Sequence, residues 1–171
     1  VFSVDSVAKK MMTTTLFLHG LDSSSQGSKG RYFQAHFPGV LCPDFSGDLA
    51  QRLAQLAALC GGIGDLFLIG SSFGGLMASS FAIANPERVS RLILLAPALN
   101  FPGFTPPAQK IGVPTLLVMG RDDTVCPPKL VGPLAAATFS NLAVRLGEDD
   151  HLLRRMFLAL EWAALLAGKK T

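Results

Sequence analysis

Charged residues are scarce in this chain. Asp, Glu, Lys and Arg make up 16% of its 171 residues, against about a quarter in an average soluble domain. The net charge is a mild +3 and is spread along the chain. No basic patch stands out, so nucleic acid is not an expected partner. Cysteine is scarce as well. Cys42, Cys60 and Cys126 are too few and too scattered for a disulfide framework or a zinc cluster, so no metal is expected. An odd number of thiols, in a chain whose first residues show no basic stretch followed by an apolar core, points to reduced cysteines and a cytoplasmic location. No apolar run reaches eighteen residues, so insertion into a membrane as a helix is not expected. There is no internal repeat and no low-complexity linker.

What the chain has is apolar content, 49% of residues, with 17 Gly and 11 Pro to make many short loops. The length suits one domain with one sizeable core. Residues 1–11 are polar-mixed and unpatterned, so the domain is expected over 12–171, with 1–11 an N-terminal extension. From there strands and helices alternate. Strands are expected at Thr14–Leu18, Val40–Cys42, Leu66–Ile69, Arg91–Leu95, Val113–Met119 and Leu142–Leu146. Helices are expected at Lys29–Phe37, Leu49–Cys60, Phe73–Ala84, Pro128–Ala137 and Leu152–Ala167. Apolar strands alternating with helices predict an α/β fold, a mostly parallel sheet of about six strands with helices on both faces. In such a sheet the loops after the strand ends share one edge, and ligands bind there.

Four of those loops carry chemistry. The string Gly70-Ser71-Ser72-Phe73-Gly74 joins a strand to a helix. Gly-x-Ser-x-Gly in that context is a nucleophile elbow, a turn so sharp that the central Ser is strained and its hydroxyl exposed. A Ser hydroxyl needs a base and a group to orient that base. His151, in Gly147-Glu148-Asp149-Asp150-His151, is the one histidine after Ser72, and it is the expected base. The preceding strand ends at Gly120-Arg121-Asp122-Asp123. Asp123 is the expected orienting acid, with Asp122 the alternative; Asp149 and Asp150 are expected to cap the last helix or bond within their loop. The oxyanion that forms during acyl transfer needs fixed donors. The Phe73 N–H is one, and the Leu21 N–H, in the loop His19-Gly20-Leu21, is the other. Gly20 lets that loop turn toward substrate, and His19 reads as a positioning residue. His36 is expected at the surface.

Leu18-His19-Gly20-Leu21, the elbow, Gly120 to Pro127 and His151 together resemble the signature sites of the α/β-hydrolase superfamily. The spacing His19-Gly20-Leu21-Asp22-Ser23-Ser24, followed by Gln26, Lys29 and Gly30, is similar to that of small YqiA-type bacterial serine esterases. The resemblance runs from about Leu16 to Trp162 and implies a serine esterase working through an acyl-enzyme on Ser72, with no cofactor. Six strands are read here where a full hydrolase sheet has eight. Between the strands at Leu95 and Val113 only Ala96–Gly112 stands where many members insert a long cap. The expected fold is therefore a compact hydrolase fold with no large cap domain. Its site should be shallow and open, flanked by Leu21, Met77, Phe101 and Phe104, and suited to short acyl esters.

Two other readings share these residues. A thioesterase or a peptidase-like amidase would use the same triad. A hydrolase-fold interaction module could keep the elbow without turnover and bind a partner through apolar surface. The ordered set of Ser, Asp and His favours an enzyme with a small-molecule substrate, and a homodimer is left open.

Overall fold

The computed structural model describes residues 12–168; the expected N-terminal extension, residues 1–11, lies outside them. Six strands form one sheet: β1 Thr14–Leu18, β2 Val40–Leu41, β3 Leu66–Ser71, β4 Val89–Leu95, β5 Thr115–Gly120 and β6 Leu142–Gly147. Every pairing is parallel and the order is β2-β1-β3-β4-β5-β6. The helices are α1 Ser28–His36, α2 Leu49–Cys60, α3 Phe73–Ala84, α4 Pro128–Thr138, α5 Arg154–Ala159 and α6 Trp162–Leu166. The chain leaves β1 outward to β2, then returns across β1 to β3 and continues in the other direction. The order therefore reverses between β1 and β3, and at such a switch point the loops diverge and leave a crevice.

The strands are apolar on both faces, and side-chain alternation sorts them into two cores. Leu16, Leu18, Leu66, Leu68, Leu92, Leu94, Leu117 and Met119 face α2, α3 and α4. Phe17, Phe67, Ile69, Ile93, Leu95, Leu116 and Val118 face α1, α5 and α6. Helix α3 is buried almost all round, with Leu76, Met77, Ala78 and Ala82 fully enclosed, as a helix apolar on every side must be. Helix α2 is amphipathic and starts at a capping box: the Asp48 side chain accepts from the Gln51 N–H, and the Gln51 side chain accepts from the Asp48 N–H, which satisfies two N–H groups otherwise left without partners.

The last helix corrects the sequence reading. One helix over Leu152–Ala167 was expected; the structure has two short ones. Leu153 is left-handed (φ 51°) and Leu160 is extended (ψ 135°). The reason is geometric. Leu153, Phe157, Leu160, Trp162 and Leu165 are all buried against the sheet. At about 100° per residue, Trp162 on a straight helix would point about 180° from Leu153. The break before Trp162 turns it and Leu165 back to the core, and the Trp162 indole N–H donates to Phe157 O at 2.8 Å.

Candidate active site

At the end of β3 the chain turns sharply at Ser72, whose φ of 54° and ψ of −116° lie in a region that side-chain-bearing residues rarely adopt. The surroundings hold it there. The Ser72 N–H donates to Leu95 O at 2.9 Å, and Ser72 O accepts from the N–H groups of Gly75, Leu76 and Ala98. The elbow glycines are a matter of space. A Cβ on Gly70 would strike the Gly74 carbonyl, and one on Gly74 would strike the Leu18 carbonyl at the end of β1. Helix α3 can thus start directly against two strand ends.

The loop after β6 brings His151 to this turn. Its Nε2 lies 2.9 Å from Ser72 Oγ and its Nδ1 lies 2.8 Å from Asp123 Oδ2. The carboxylate oxygen only accepts, so Nδ1 carries the hydrogen and Nε2 is left to receive the Ser72 hydroxyl. Asp123 is buried, and its other oxygen accepts from the N–H groups of Val125 (2.9 Å) and Cys126 (2.7 Å). Asp122 is exposed and takes no part in the bonds of this line. The two loops are tied together by their backbones: Arg121 N–H donates to Gly147 O and Asp122 N–H to Asp149 O. They approach so closely that a Cβ on Gly120 would collide with the Asp149 carbonyl. The Asp149 side chain bonds within its own segment, accepting from Asp150, Arg155 and Met156. Burial pushes its carboxyl up, but those three N–H groups and the Arg155 charge outweigh it and hold the carboxyl below the usual value.

Across the crevice lies the loop after β1. Gly20 sits against Ser72, close enough that an added Cβ would be 3.5 Å from Ser72 Cβ. His19 is 2% exposed and sits behind that loop. Its Nδ1–H donates to Gly20 O at 2.7 Å, and its Nε2 accepts from the Phe45 N–H at 3.0 Å. The N–H groups of Leu21 and Phe73 have no acceptor among the described residues.

A cleft of about 470 Å³ opens over Ser72, lined by Gly20, Leu21, Phe73, Phe101, Val125 and His151 among others. The mouth is apolar, with Leu21, Phe101, Val125 and Leu152 half exposed, and Phe73 and Phe101 meet edge to face at 5.3 Å. Two residues expected at this rim are elsewhere. Met77 faces inward from α3 and is fully buried, because every turn of that helix is enclosed. Phe104, within the loop after β4, is partly buried and packs against the core. His19 supports the cleft from behind rather than lining it. His36 is exposed and stacks on Tyr32.

Asp123, Cys126 and His151 place donor atoms within 4.8 Å of one another. The Cys126 thiol is pushed up to about 12 by burial and by the Asp123 charge, so it stays protonated and is a poor metal ligand. The carboxylate and imidazole are already bonded.

Two polar side chains of the site were not singled out for it from the sequence. Lys29 reaches from α1 to donate to Leu152 O at 2.7 Å, next to His151; burial pulls its ammonium below the usual lysine value. Arg52 reaches from α2 to the carbonyls of Gly20 and Leu21. Its signal was in the helix pattern: it stands three residues after Leu49 and four before Leu56, on the stripe that faces the core.

Residues 5–107 match the family described as serine aminopeptidase, S33. The chain belongs to that family of α/β-hydrolases. A 2-hydroxy-6-oxononadienedioate/2-hydroxy-6-oxononatrienedioate hydrolase of Burkholderia vietnamiensis is 33% identical over 50% of this chain and 30% of its own. The (lyso)-N-acylphosphatidylethanolamine lipase of Mus musculus is 37% identical over 42% of this chain and 22% of its own. The chain thus spans less than a third of the length of either relative. Among solved structures, α/β hydrolase domain-containing protein 10 from mouse superposes with a TM-score of 0.72 at 19% identity, covering 93% of this chain and 91% of that one. Such a likeness establishes the compact α/β-hydrolase fold. No helix among the described residues is long and apolar enough to cross a membrane.

Proposed function

We propose that this α/β-hydrolase is a serine hydrolase acting on carboxylic esters with small or short acyl groups. The observation that carries the reading is the unbroken hydrogen-bonded line Ser72–His151–Asp123, with steps of 2.9 and 2.8 Å. In this mechanism His151 Nε2 takes the Ser72 proton as Oγ attacks the ester carbonyl. The carbonyl oxygen becomes an anion received by the N–H groups of Leu21 and Phe73, which have no acceptor among the described residues. The carbon–oxygen bond then breaks, and the imidazolium gives its proton to the leaving alcohol. Water, deprotonated by the same nitrogen, releases the acid and frees Ser72. Asp123 keeps the ring in the needed tautomer and balances its positive charge.

The cleft supports the substrate class. Its rim of Leu21, Phe101 and Val125 is apolar, and its volume of about 470 Å³ is open to solvent, which suits a short acyl chain better than a long one. The test is a fluorophosphonate probe followed by p-nitrophenyl esters of increasing chain length, with acyl-CoA and aminoacyl substrates alongside. Wild type should be labelled on Ser72 and should prefer acetate or butyrate esters. Ser72→Ala should be folded, unlabelled and inactive. Turnover retained in pure Ser72→Ala, or folded wild type that resists the probe, would overturn the proposal; faster thioester or amide cleavage would reassign the bond.

A further inference from the structure

Arg52 is 4% exposed and carries a permanent charge, yet no carboxylate lies within ion-pair distance of it among the described residues. Burying an unpaired charge is unfavourable unless hydrogen bonds replace its water. Here three backbone carbonyls do so. Nε donates to Gly47 O at 3.0 Å, Nη1 to Gly20 O at 3.4 Å and Nη2 to Leu21 O at 3.1 Å. The guanidinium carbon also lies 5.3 Å from the centre of the Phe73 ring. One side chain therefore touches both residues whose N–H groups are free at the cleft.

Gly20 O and the Leu21 N–H belong to one peptide unit. No peptide bond among the described residues is cis, so the unit is trans and its N–H points opposite to its carbonyl. Whatever fixes the oxygen aims the hydrogen. The oxygen is held by Arg52 Nη1 and by His19 Nδ1, and His19 is itself fixed by the Phe45 N–H. Resting on the serine-hydrolase reading, we propose that Arg52 is a positioning residue for the oxyanion site: it aims the Leu21 N–H at the developing anion, and its charge polarises that peptide so that the N–H is a stronger donor. It touches no reacting atom. Its effect belongs to the transition state, because the ground-state carbonyl makes little demand on the donor.

The test compares wild type with Arg52→Met, which keeps an unbranched apolar stem without donors, and Arg52→Lys, which keeps a charge but not the fork. Four quantities are measured: kcat, KM, thermal midpoint, and inhibition by a short trifluoromethyl ketone that forms a tetrahedral oxyanion on Ser72. In Arg52→Met, kcat should fall about 10- to 100-fold, a share of what loss of a whole oxyanion donor does. KM should stay within about twofold, since substrate binding is not Arg52's role. The ketone's inhibition constant should rise by the same factor as kcat/KM falls, and Arg52→Lys should recover part of both. A role confined to tying α2 to the loop would lower the thermal midpoint and leave kcat of the folded protein unchanged, and that result overturns the proposal. If Arg52→Met does not fold, Arg52→Lys carries the test alone: a compact ammonium lacks the planar fork whose three nitrogens reach the Gly47, Gly20 and Leu21 carbonyls, so a wild-type kcat there overturns it too. Wild type that is labelled and active while both variants match it sinks this inference only; wild type that is neither labelled nor active sinks the serine-hydrolase reading and this inference with it.

Discussion

Removing the Asp149 carboxylate should destabilise the fold by about 3 kcal/mol. The side chain is 5% exposed, and it accepts from three backbone N–H groups: Arg155 and Met156, both at 2.8 Å, on Oδ2, and Asp150, at 3.0 Å, on Oδ1. Hydrogen bonds to a charged acceptor contribute roughly 1.5–3 kcal/mol each when buried. Two of these donors sit in the first turn of α5, where water can replace part of what is lost, so roughly 1 kcal/mol apiece is a fair sum, in line with the loss of a helix cap. For a domain of this size each kcal/mol moves the thermal midpoint by roughly 2–4 °C, so Asp149→Ala should melt about 6–12 °C lower. Asp149→Asn keeps one acceptor oxygen and should lose about half as much. Urea unfolding followed by the fluorescence of Trp162, the one tryptophan and 2% exposed, measures this directly. The pH dependence has a definite sign. The folded-state carboxyl lies below its ordinary value because the Met156, Asp150 and Arg155 N–H groups and the Arg155 charge outweigh burial. Its contribution is therefore complete above the unfolded carboxylate range and disappears as pH falls through the lower folded value. The gap between wild type and Asp149→Ala should be full at pH 7 and narrow below about pH 4. Equal urea midpoints at pH 7, or a gap that widens in acid, would refute the reasoning.

Other substitutions probe other parts of the molecule. Asp123→Asn should lower kcat by about 10⁴ with little change in KM, because an amide at that position favours the wrong imidazole tautomer; steady-state kinetics showing less than a tenfold loss would count against Asp123 as the orienting acid. Gly74→Ala should destabilise by about 3 kcal/mol, since the new methyl meets the Leu18 carbonyl and forces α3 off the sheet; wild-type stability by urea titration would contradict that contact. Cys126 is 1% exposed, its thiol pushed up to about 12, and Cys60 is fully buried. Neither should react with a disulfide reagent at pH 8 until the protein is unfolded, and rapid labelling of Cys126 in the native state would show the acid loop to be open.

Much of the architecture could be read without coordinates, because its signals are local. The helix after the elbow matches its expected span, Phe73–Ala84, bounded by a strained Ser on one side and Asn85-Pro86 on the other. The strand at Leu142 also begins where expected, between a helix and Gly147. The last helix was misread because Leu, Met, Phe and Trp at helical spacing describe a stripe but not whether one straight rod can keep it facing the sheet. Met77 and Phe104 were misplaced for a related reason. An apolar residue near a motif is equally compatible with a cleft wall and with a core, and α3 is so thoroughly enclosed that Met77 has no route to solvent.

Arg52 marks the same boundary. On a helix wheel it is a charge on an apolar stripe, and nothing nearby in the chain says that its partners are carbonyls of Gly47, Gly20 and Leu21.

Polarity and turn signals alone locate most of the strands and helices, a mostly parallel sheet, and a serine, an acid loop and a histidine after three strand ends. These are properties of polarity patterns and turn chemistry a few residues long. Long-range packing settles that Asp123 rather than Asp122 bonds to the imidazole, that the final helix breaks before Trp162, and that a buried guanidinium braces the loop beside Ser72. Each of these depends on distances between segments remote in the chain, set by how the two cores pack on either side of the sheet.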